Sequence, residues 1–178
     1  MDRMGASLQE LSSGRLILGY GAGWMEEEYR AYGFDFPPLR TRVEMLEEGV
    51  QIIKALWTDT PANFAGKHYS IEGAHCEPPP SPVPPIMIGG AGERFTLPVV
   101  ARRADWWNDL ARPVDQLRHK LAVLHEYCEA EGRDFSTIRK TLTLRLFMDR
   151  SHSKAVEMAN DRTHGGWVNS SQPPIVGD

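Results

Sequence analysis

The sequence predicts an α/β protein in which strands and helices alternate along the chain. Short apolar runs that end in glycine indicate buried strands, and segments with apolar side chains at steps of three and four indicate amphipathic helices. Strict alternation of the two implies a parallel sheet with right-handed crossovers. Both an open doubly wound sheet and part of a closed barrel satisfy this pattern.

The first half of the chain contains a strand, a helix and an insertion. The apolar run Arg15–Tyr20 is predicted to be the first strand because glycines close it. A helix with one buried stripe follows from about residue 40 to residue 57. Residues 58–85 lose the helical period and are predicted to form an insertion, a short hairpin followed by a stiff proline-rich connector. The connector leads directly into the second strand, Ile86–Ile88.

The second half continues the alternation. A helix is predicted at 94–103, with Pro98 in its first turn because proline lacks an amide donor. Ala104–Asn108 is the third predicted strand, and a second long helix runs from residue 114 to about residue 132. Leucine or methionine occupies every second position of Leu142–Met148, which indicates a fourth strand.

A last helix is predicted to begin at Ser151 or Ser153, either of which could cap it, and to end near Asn160. Residues 161–178 have no period that indicates an element. Since the chain contains no internal repeat, low-complexity tract or composition break, residues 1–178 are predicted to form one domain.

Composition narrows the class of protein. The chain has 178 residues and a net charge of −4 without a basic stripe, which argues against a nucleic-acid partner. It has no run of 18 apolar residues, so no membrane partner is expected, and Met1–Glu10 lacks the apolar core of a signal peptide. Cys76 and Cys128 have neither disulfide-framework nor zinc-ligand spacing and are interpreted as reduced thiols. These features predict a cytoplasmic protein.

The first glycine cluster, Gly19–Trp24, resembles a dinucleotide fingerprint only in part. Trp24 stands where the fingerprint needs a glycine for close helix packing. The carboxylates of Glu26, Glu27 and Glu28 would also repel a phosphate at the start of the following helix. The residues therefore favour a tight turn at the end of a strand.

The second glycine cluster, Gly89–Gly92, follows a strand and precedes a helix. Small residues there let successive backbone N–H groups approach and cradle an anion, and Arg94 adds a positive charge. Glu93 is a partial objection because its charge is negative. Phosphate binding and a plain turn between strand and helix both remain open on spacing alone.

Metal and hydrolase sites are not predicted. The segment His125–Glu129 approaches the zinc-protease motif but ends in glutamate, and His119 and His125 do not share a helical face. The nucleophile motif G-x-S-x-G does not occur in the sequence.

Several motifs in a fixed order resemble those of the luciferase-like monooxygenase family. The resemblance extends from about residue 8 to residue 148. In chain order its motifs are Leu11–Tyr29, Tyr32–Phe34, the helix from 40 to 57, Phe64–Tyr69, Pro85–Gly92 and Ala104–Asn108. It implies a TIM barrel with an insertion and a cofactor that is either FMN or the deazaflavin coenzyme F420.

The resemblance also implies roles for individual residues. The family's cofactor-phosphate loop corresponds to a set of backbone donors, Gly89, Gly90, Ala91 and Gly92. The strand end beside the flavin ring corresponds to Gly21, Ala22, Gly23 and Trp24. A neighbouring strand end that faces the substrate corresponds to Trp107 and Asn108.

The resemblance covers only part of a barrel. Arg15–Tyr20 resembles the fourth strand and Leu142–Met148 the seventh, so about four βα units are expected, in a domain incomplete at both ends. The family's catalytic candidates would lie on strands outside the chain, and no catalytic residue is assigned. A partial barrel has two open sheet edges and an uncovered inner face, which predicts self-association.

Three functional hypotheses follow. The main one is a flavin- or deazaflavin-dependent oxidoreductase or monooxygenase that acts on a small molecule. The second is a non-catalytic fragment or assembly partner. The third is a small doubly wound domain that binds a phosphorylated small molecule at Gly89–Gly92.

Overall fold

The computed structural model describes residues 2–161 and the backbone of residues 175–177. The helices in these ranges are α1 (Asp2–Leu11), α2 (Glu26–Ala31), α3 (Leu39–Thr58), α4 (Thr96–Arg103), α5 (Val114–Ala130) and α6 (His152–Asn160), with a 3-10 turn at Phe135–Thr137. The strands are β1 (Leu18–Tyr20), β2 (Ala62–Ala65), β3 (Ser70–Ala74), β4 (Ile86–Gly89), β5 (Trp106–Leu110), β6 (Arg139–Thr143), β7 (Leu146–Met148) and β8 (Ile175–Gly177). None of the described helices is long and apolar enough to cross a membrane.

The central sheet has the order β1-β4-β5-β6, and all its strands are parallel. Each new strand joins beside the previous one, so the strand order never reverses. A doubly wound domain needs a reversal to place helices on both faces, whereas successive crossovers in one direction place them on one face, as in a barrel. The topology therefore argues against the doubly wound hypothesis and confirms the predicted parallel α/β class.

One face of the sheet packs against the helices and forms the core. The side chains of Ile86, Ile88 and Trp107 on this face are almost fully buried, and so are Val50 of α3 and Leu97 of α4. Because side chains alternate along a strand, the intervening residues project from the opposite, inner face.

Polar side chains link two strands on that inner face. Asn108 on β5 donates from Nδ2 to Thr141 Oγ1 on β6 at 2.9 Å. The hydroxyl of Thr143 donates to Asn108 Oδ1 at 3.0 Å. These two bonds therefore hold the side chain of Asn108, in the middle of β5, in a fixed orientation on the inner face.

The insertion between α3 and β4 contains the predicted hairpin, formed by the antiparallel strands β2 and β3. Glu48 of α3 fastens it, since its carboxylate accepts the backbone N–H groups of Lys67, His68 and Tyr69 at 2.8–2.9 Å. Glu44, one turn earlier, binds the side chains of Lys67 and His68 at 2.7 and 3.0 Å. These bonds lower the pKa of Glu44 to about 2.

The predicted strands differ from the observed ones at their ends. The first strand begins at Leu18 rather than Arg15 because its partner begins at Ile86, opposite Leu18. The fourth predicted strand is two: β6 ends at Thr143, opposite the last residue of β5, and β7 pairs with β8 instead. A strand segment without a neighbour has no ladder to extend, so periodicity alone overestimates its length.

The helix α1 was not predicted. Contacts from distant parts of the chain hold it: Gln9 donates to the carbonyl of Pro82 at 2.6 Å, and the indole of Trp57 donates to the carbonyl of Asp2 at 3.1 Å. At the other end, α6 begins directly after Ser151, one of the two predicted caps, but the Ser151 hydroxyl pairs with that of Ser153 and makes no capping bond to the described helix. Most of the stretch 161–178 lies outside the described residues.

Candidate functional site

The loops that follow β1 and β4 meet at one edge of the sheet. The two strands are parallel neighbours, so their carboxyl ends lie side by side, and a Cβ on Gly21 would lie 3.9 Å from the carbonyl oxygen of Gly89. A cavity of about 590 Å³, here called the glycine cavity, opens at this edge. Its walls are Gly21, Ala22, Gly23, Trp24, Leu39, Gly89, Gly90, Ala91, Gly92, Thr96, Asn108, Asp109, Leu110 and Arg112. Both predicted glycine clusters and Asn108 thus line the same space.

Strand β5 holds the second loop, Gly89–Gly92, from beside it. The indole N–H of Trp107 donates to the carbonyl of Gly90 at 2.8 Å, and the amide of Gly90 donates to the carbonyl of Asn108 at 3.0 Å. Gly90 has φ +121°, a conformation that side chains other than glycine rarely adopt, and a Cβ there would lie 3.3 Å from Thr96 Cγ2. The loop is therefore a fixed piece of backbone.

Two amides of this loop have no acceptor among the residues that the structure describes. The amides of Thr96 and Leu97 both donate to the carbonyl of Gly92, which closes the start of α4. Within residues 2–161 the amides of Ala91 and Gly92 have no hydrogen-bond partner. The structure corrects the prediction of four backbone donors at one point, since the sheet already uses the Gly90 amide. Adjacent unpaired amides in a glycine-rich turn form a binding site for an anion.

The charge of Glu93 is neutralised away from the cavity. Its carboxylate pairs with Lys120 and, at 3.1 Å, with His119 on α5. The hydrogen bond from Lys120 lowers the pKa of Glu93. Glu93 is not among the residues that line the glycine cavity. The objection that it posed to an anion at this loop is thereby weakened.

The first loop, Gly21–Trp24, is built differently. Gly23 has φ +74°, and the hydroxyl of Tyr29 occupies the space that a Cβ would need. Trp24 is 63% exposed, so its ring borders the cavity as an open aromatic surface. Glu26, which starts α2, pairs with Arg30 at 2.6 Å and lines a separate depression outside the cavity.

Trp107 does not face the cavity, contrary to the prediction. Its side chain is 1% exposed and packs in the core between sheet and helices, from which it supports the loop through Gly90. Trp106 and Trp107 are adjacent, so their side chains lie on opposite faces of β5. The sequence alone does not say which of the two rings packs against the helices. Asn108 does line the cavity.

An ion pair in the cavity wall was not predicted. Arg112 binds the carboxylate of Asp109 with two hydrogen bonds, from Nε at 2.7 Å and from Nη2 at 2.6 Å. Asp109 is 3% exposed, so the arginine compensates a buried charge. Opposite charges three positions apart at the end of a predicted strand are the one sequence feature that could have predicted this ion pair. Leu39, Thr96 and Leu110 complete the wall and gave no such signal.

The sequence is similar to one family profile and to individual enzymes of known cofactor. Residues 2–173 match the sequence profile of a family described as luciferase-like monooxygenase. An F420-dependent glucose-6-phosphate dehydrogenase of Amycolatopsis mediterranei is 30% identical over 158 residues, which cover 85% of this chain and 46% of that protein. An FMNH2-dependent dimethylsulfone monooxygenase of Pseudomonas fluorescens is 23% identical over 193 residues, 96% of this chain and 53% of that protein.

Solved structures agree on the fold. An F420-dependent secondary alcohol dehydrogenase superposes with a TM-score of 0.77 at 23% identity, over 88% of this chain and 47% of that one. The structural neighbours are TIM barrels, which confirms the predicted partial-barrel architecture. The chain spans about half the length of the relatives that it matches.

Proposed function

The chain belongs to the luciferase-like monooxygenase family, and from this premise we propose that it is part of an oxidoreductase that uses a flavin or F420 to oxidise or reduce a small organic molecule. The observation that carries the proposal is the convergence of two glycine loops on one cavity. FMN and F420 share a flat three-ring system, a flexible chain and a phosphate. The cavity offers a matching set of surfaces: unpaired amides, bare backbone and an exposed aromatic ring.

The residues that line the glycine cavity fit such a cofactor. The amides of Ala91 and Gly92 would hold the phosphate, because they are adjacent and without a partner among the described residues. Gly89 leaves room for close approach, since a Cβ there would meet no atom within 4 Å. The ring system would lie against Gly21–Trp24, with the Asn108 amide beside it. When bound, the cofactor supplies hydride or oxygen chemistry.

The protein's part is to bind, orient and exclude water. Asn108 keeps its orientation through Thr141 and Thr143, so a group hydrogen-bonded to it would be fixed as well. The ion pair of Asp109 with Arg112 engages both carboxylate oxygens, so this aspartate is not assigned as a proton carrier. No catalytic acid or base is proposed among the residues of this chain.

The proposal is tested by titrating the purified chain with FMN and, separately, with F420 while following cofactor fluorescence. We expect binding of one of the two with a dissociation constant below about 1 mM. If neither cofactor binds by that concentration, the proposal fails for this chain. The relatives favour the enzyme hypothesis over a non-catalytic partner, since both FMNH2- and F420-dependent enzymes are among them.

Self-association through the open edges of the central sheet is part of the proposal. Strands β1 and β6 each have a neighbour on one side only in the described sheet. Exposed apolar side chains precede β1 along the chain, at Met4 and Leu8 of α1, and follow β6, at Leu144 and Leu146. Sedimentation velocity at micromolar concentration is expected to show dimers or larger species. A stable monomer that unfolds in one cooperative step would contradict this part.

The remaining proposals concern domain organisation, cellular compartment and partners. We propose that residues 1–178 act as one domain interrupted by the insertion at 58–85, and that the protein works in the cytoplasm without nucleic-acid or membrane partners. Support for a reducing compartment comes from Cys76 and Cys128, which are both buried and unpaired.

A further inference from the structure

A second cavity lies beside the glycine cavity and shares two residues with it, Gly21 and Ala22. It has a volume of about 410 Å³ and is here called the tyrosine pocket. Three tyrosines line it, Tyr20 from β1, Tyr29 from α2 and Tyr69 from the hairpin insertion. The three tyrosines lie within the motifs of the family resemblance, but neither the sequence analysis nor the proposed cofactor site gives them a role.

Packing positions the hydroxyls of Tyr20 and Tyr29, and all three tyrosine hydroxyls lack a hydrogen-bond partner among the described residues. Gly49 leaves space for the hydroxyl of Tyr20 and Gly23 for that of Tyr29, since a Cβ at either glycine would lie under 3 Å from the phenolic oxygen. Glu48 sets the backbone of Tyr69 through its bond to the amide. Within residues 2–161 none of the three hydroxyls has a hydrogen-bond partner. Burial raises the pKa of Tyr20, and the neighbouring Tyr69 and Tyr29 raise it further.

Arg42 brings to the same pocket a positive charge that forms no ion pair with a carboxylate of the described residues. Its guanidinium stacks on the ring of Phe36 at 3.7 Å, and Nη1 donates to the carbonyl of Pro37. Its Nε is buried and has no hydrogen-bond partner, and no described carboxylate forms an ion pair with it. Because Nε is buried, a ligand in the pocket would not reach it, and an anion there would instead compensate the charge of the guanidinium as a whole.

The walls and the mouth of the pocket decide what kind of anion fits. Phe34, Met45 and Leu46 supply apolar surface, and the volume is in the range of pockets that hold organic ligands rather than a bare ion. Asp35 at the mouth carries a negative charge, but it is exposed, so water and salt screen its repulsion.

We propose that the tyrosine pocket binds a small organic carboxylate, with Arg42 as its counter-charge, the three hydroxyls as hydrogen-bond donors and the apolar wall against its body. The tyrosine pocket shares Gly21 and Ala22 with the glycine cavity but is not lined by the second glycine loop, Gly89–Gly92. A bound acid would therefore contact the loop backbone without competing for the cofactor's phosphate position.

Ligand-observed NMR with three probes tests this: benzoate, the neutral isostere benzamide, and inorganic phosphate. We expect benzoate to bind with a dissociation constant of about 1 mM or below, and benzamide and phosphate at least about tenfold more weakly. Equal binding of benzoate and benzamide would overturn the role of the charge. Phosphate binding as tight as that of benzoate would overturn the organic ligand class.

Variants locate the site. Arg42→Gln is expected to weaken benzoate at least about tenfold, and Tyr69→Phe, which removes one hydroxyl, about threefold. The exposed residues Arg118 and Tyr32 provide matched controls, Arg118→Gln and Tyr32→Phe, which should leave the affinity unchanged. Unchanged affinity in both pocket variants overturns the proposal. If Arg42→Gln does not fold, Tyr69→Phe decides alone.

One further variant separates this pocket from the cofactor site. Gly89 lines the glycine cavity but not the tyrosine pocket, so Gly89→Ala should leave benzoate affinity unchanged. Loss of benzoate binding in Gly89→Ala would place the acid in the glycine cavity and overturn the proposal. Benzoate binding to a chain that binds neither FMN nor F420 would support the pocket while refuting the proposed function.

Discussion

The two glycine loops end neighbouring parallel strands and line one cavity, yet they are built in opposite ways. Hydrogen bonds hold the second loop from β5 and α4, through Gly90 and Gly92. The first loop packs against the hydroxyl of Tyr29 and ends in the exposed ring of Trp24. Under the proposed function, the second loop would act as a rigid backbone template for the phosphate and the first as an adaptable surface for the ring system. Changes in the second loop should therefore cost more.

The largest effect is expected from Gly90→Ala. An alanine at φ +121° is strained, and its methyl would press on Thr96. We expect the free energy of unfolding to fall by about 1–3 kcal/mol, and cofactor affinity to fall about 100-fold because the neighbouring amides move. Chemical denaturation and fluorescence titration measure the two quantities.

Gly132→Ala is the matched control for this variant. Gly132 also has a positive φ, +64°, but lies after α5 with open space around it and outside the cavity. It should lose stability without losing affinity. Equal affinity losses in the two variants would refute the special role of the second loop.

A smaller effect is expected from Trp107→Phe. The change keeps an aromatic ring in the core but removes the N–H that binds the Gly90 carbonyl. We expect a stability loss of about 1–3 kcal/mol and about a tenfold loss of cofactor affinity. Trp106→Phe, on the opposite face beside Arg139, is the control. A greater affinity loss in Trp106→Phe than in Trp107→Phe would contradict the assigned support of the loop.

Trp24→Ala probes the first loop. Since the side chain is mostly exposed, we expect the unfolding free energy to change by less than about 0.5 kcal/mol. Loss of ring contact should weaken cofactor binding about three- to tenfold. The exposed Tyr32, changed to alanine, controls for removing a surface aromatic ring. An affinity loss beyond that of Gly90→Ala would reverse the order of the two loops.

The smallest effect is expected at Glu44 of α3, whose carboxylate binds the hairpin of β2 and β3. The folded pKa of Glu44, about 2, lies below its ordinary value of 4.5, so its bonds stabilise the hairpin above pH 4.5 and are lost as pH falls toward 2. NMR signals of the Lys67 and His68 side chains, which Glu44 binds, should shift in that window. The shift should be reduced in Glu44→Gln, and an unaltered pH profile would argue against the contact.

Sequence patterns locate the two loops but not their supports. Glycine clusters at strand ends are local signals, so the spacing of residues is enough to find Gly21–Gly23 and Gly89–Gly92. The buried side of Trp107 and the pairing of Asp109 with Arg112 depend on register and on side-chain geometry, which no local pattern contains.

The helix α1 and the tyrosine pocket escape sequence patterns for a related reason. Gln9 and Trp57 hold α1 through partners more than fifty positions away along the chain. The pocket assembles residues from a strand, two helices and a hairpin, and its elements come together only when the insertion docks on α3. Such long-range contacts follow from the fold and not from periodicity.

The central claim is that bare backbone at the end of β4 lets a cofactor approach, and Gly89→Ala tests it most directly. A methyl group there meets no atom within 4 Å, so the variant should fold as stably as the unaltered chain. Gly19→Ala is the control, because its methyl would make only an ordinary contact with Met87 and lies outside the cavity. In titrations with FMN and F420, Gly89→Ala should bind at least about tenfold more weakly than Gly19→Ala. Equal affinity of the two variants would contradict the account.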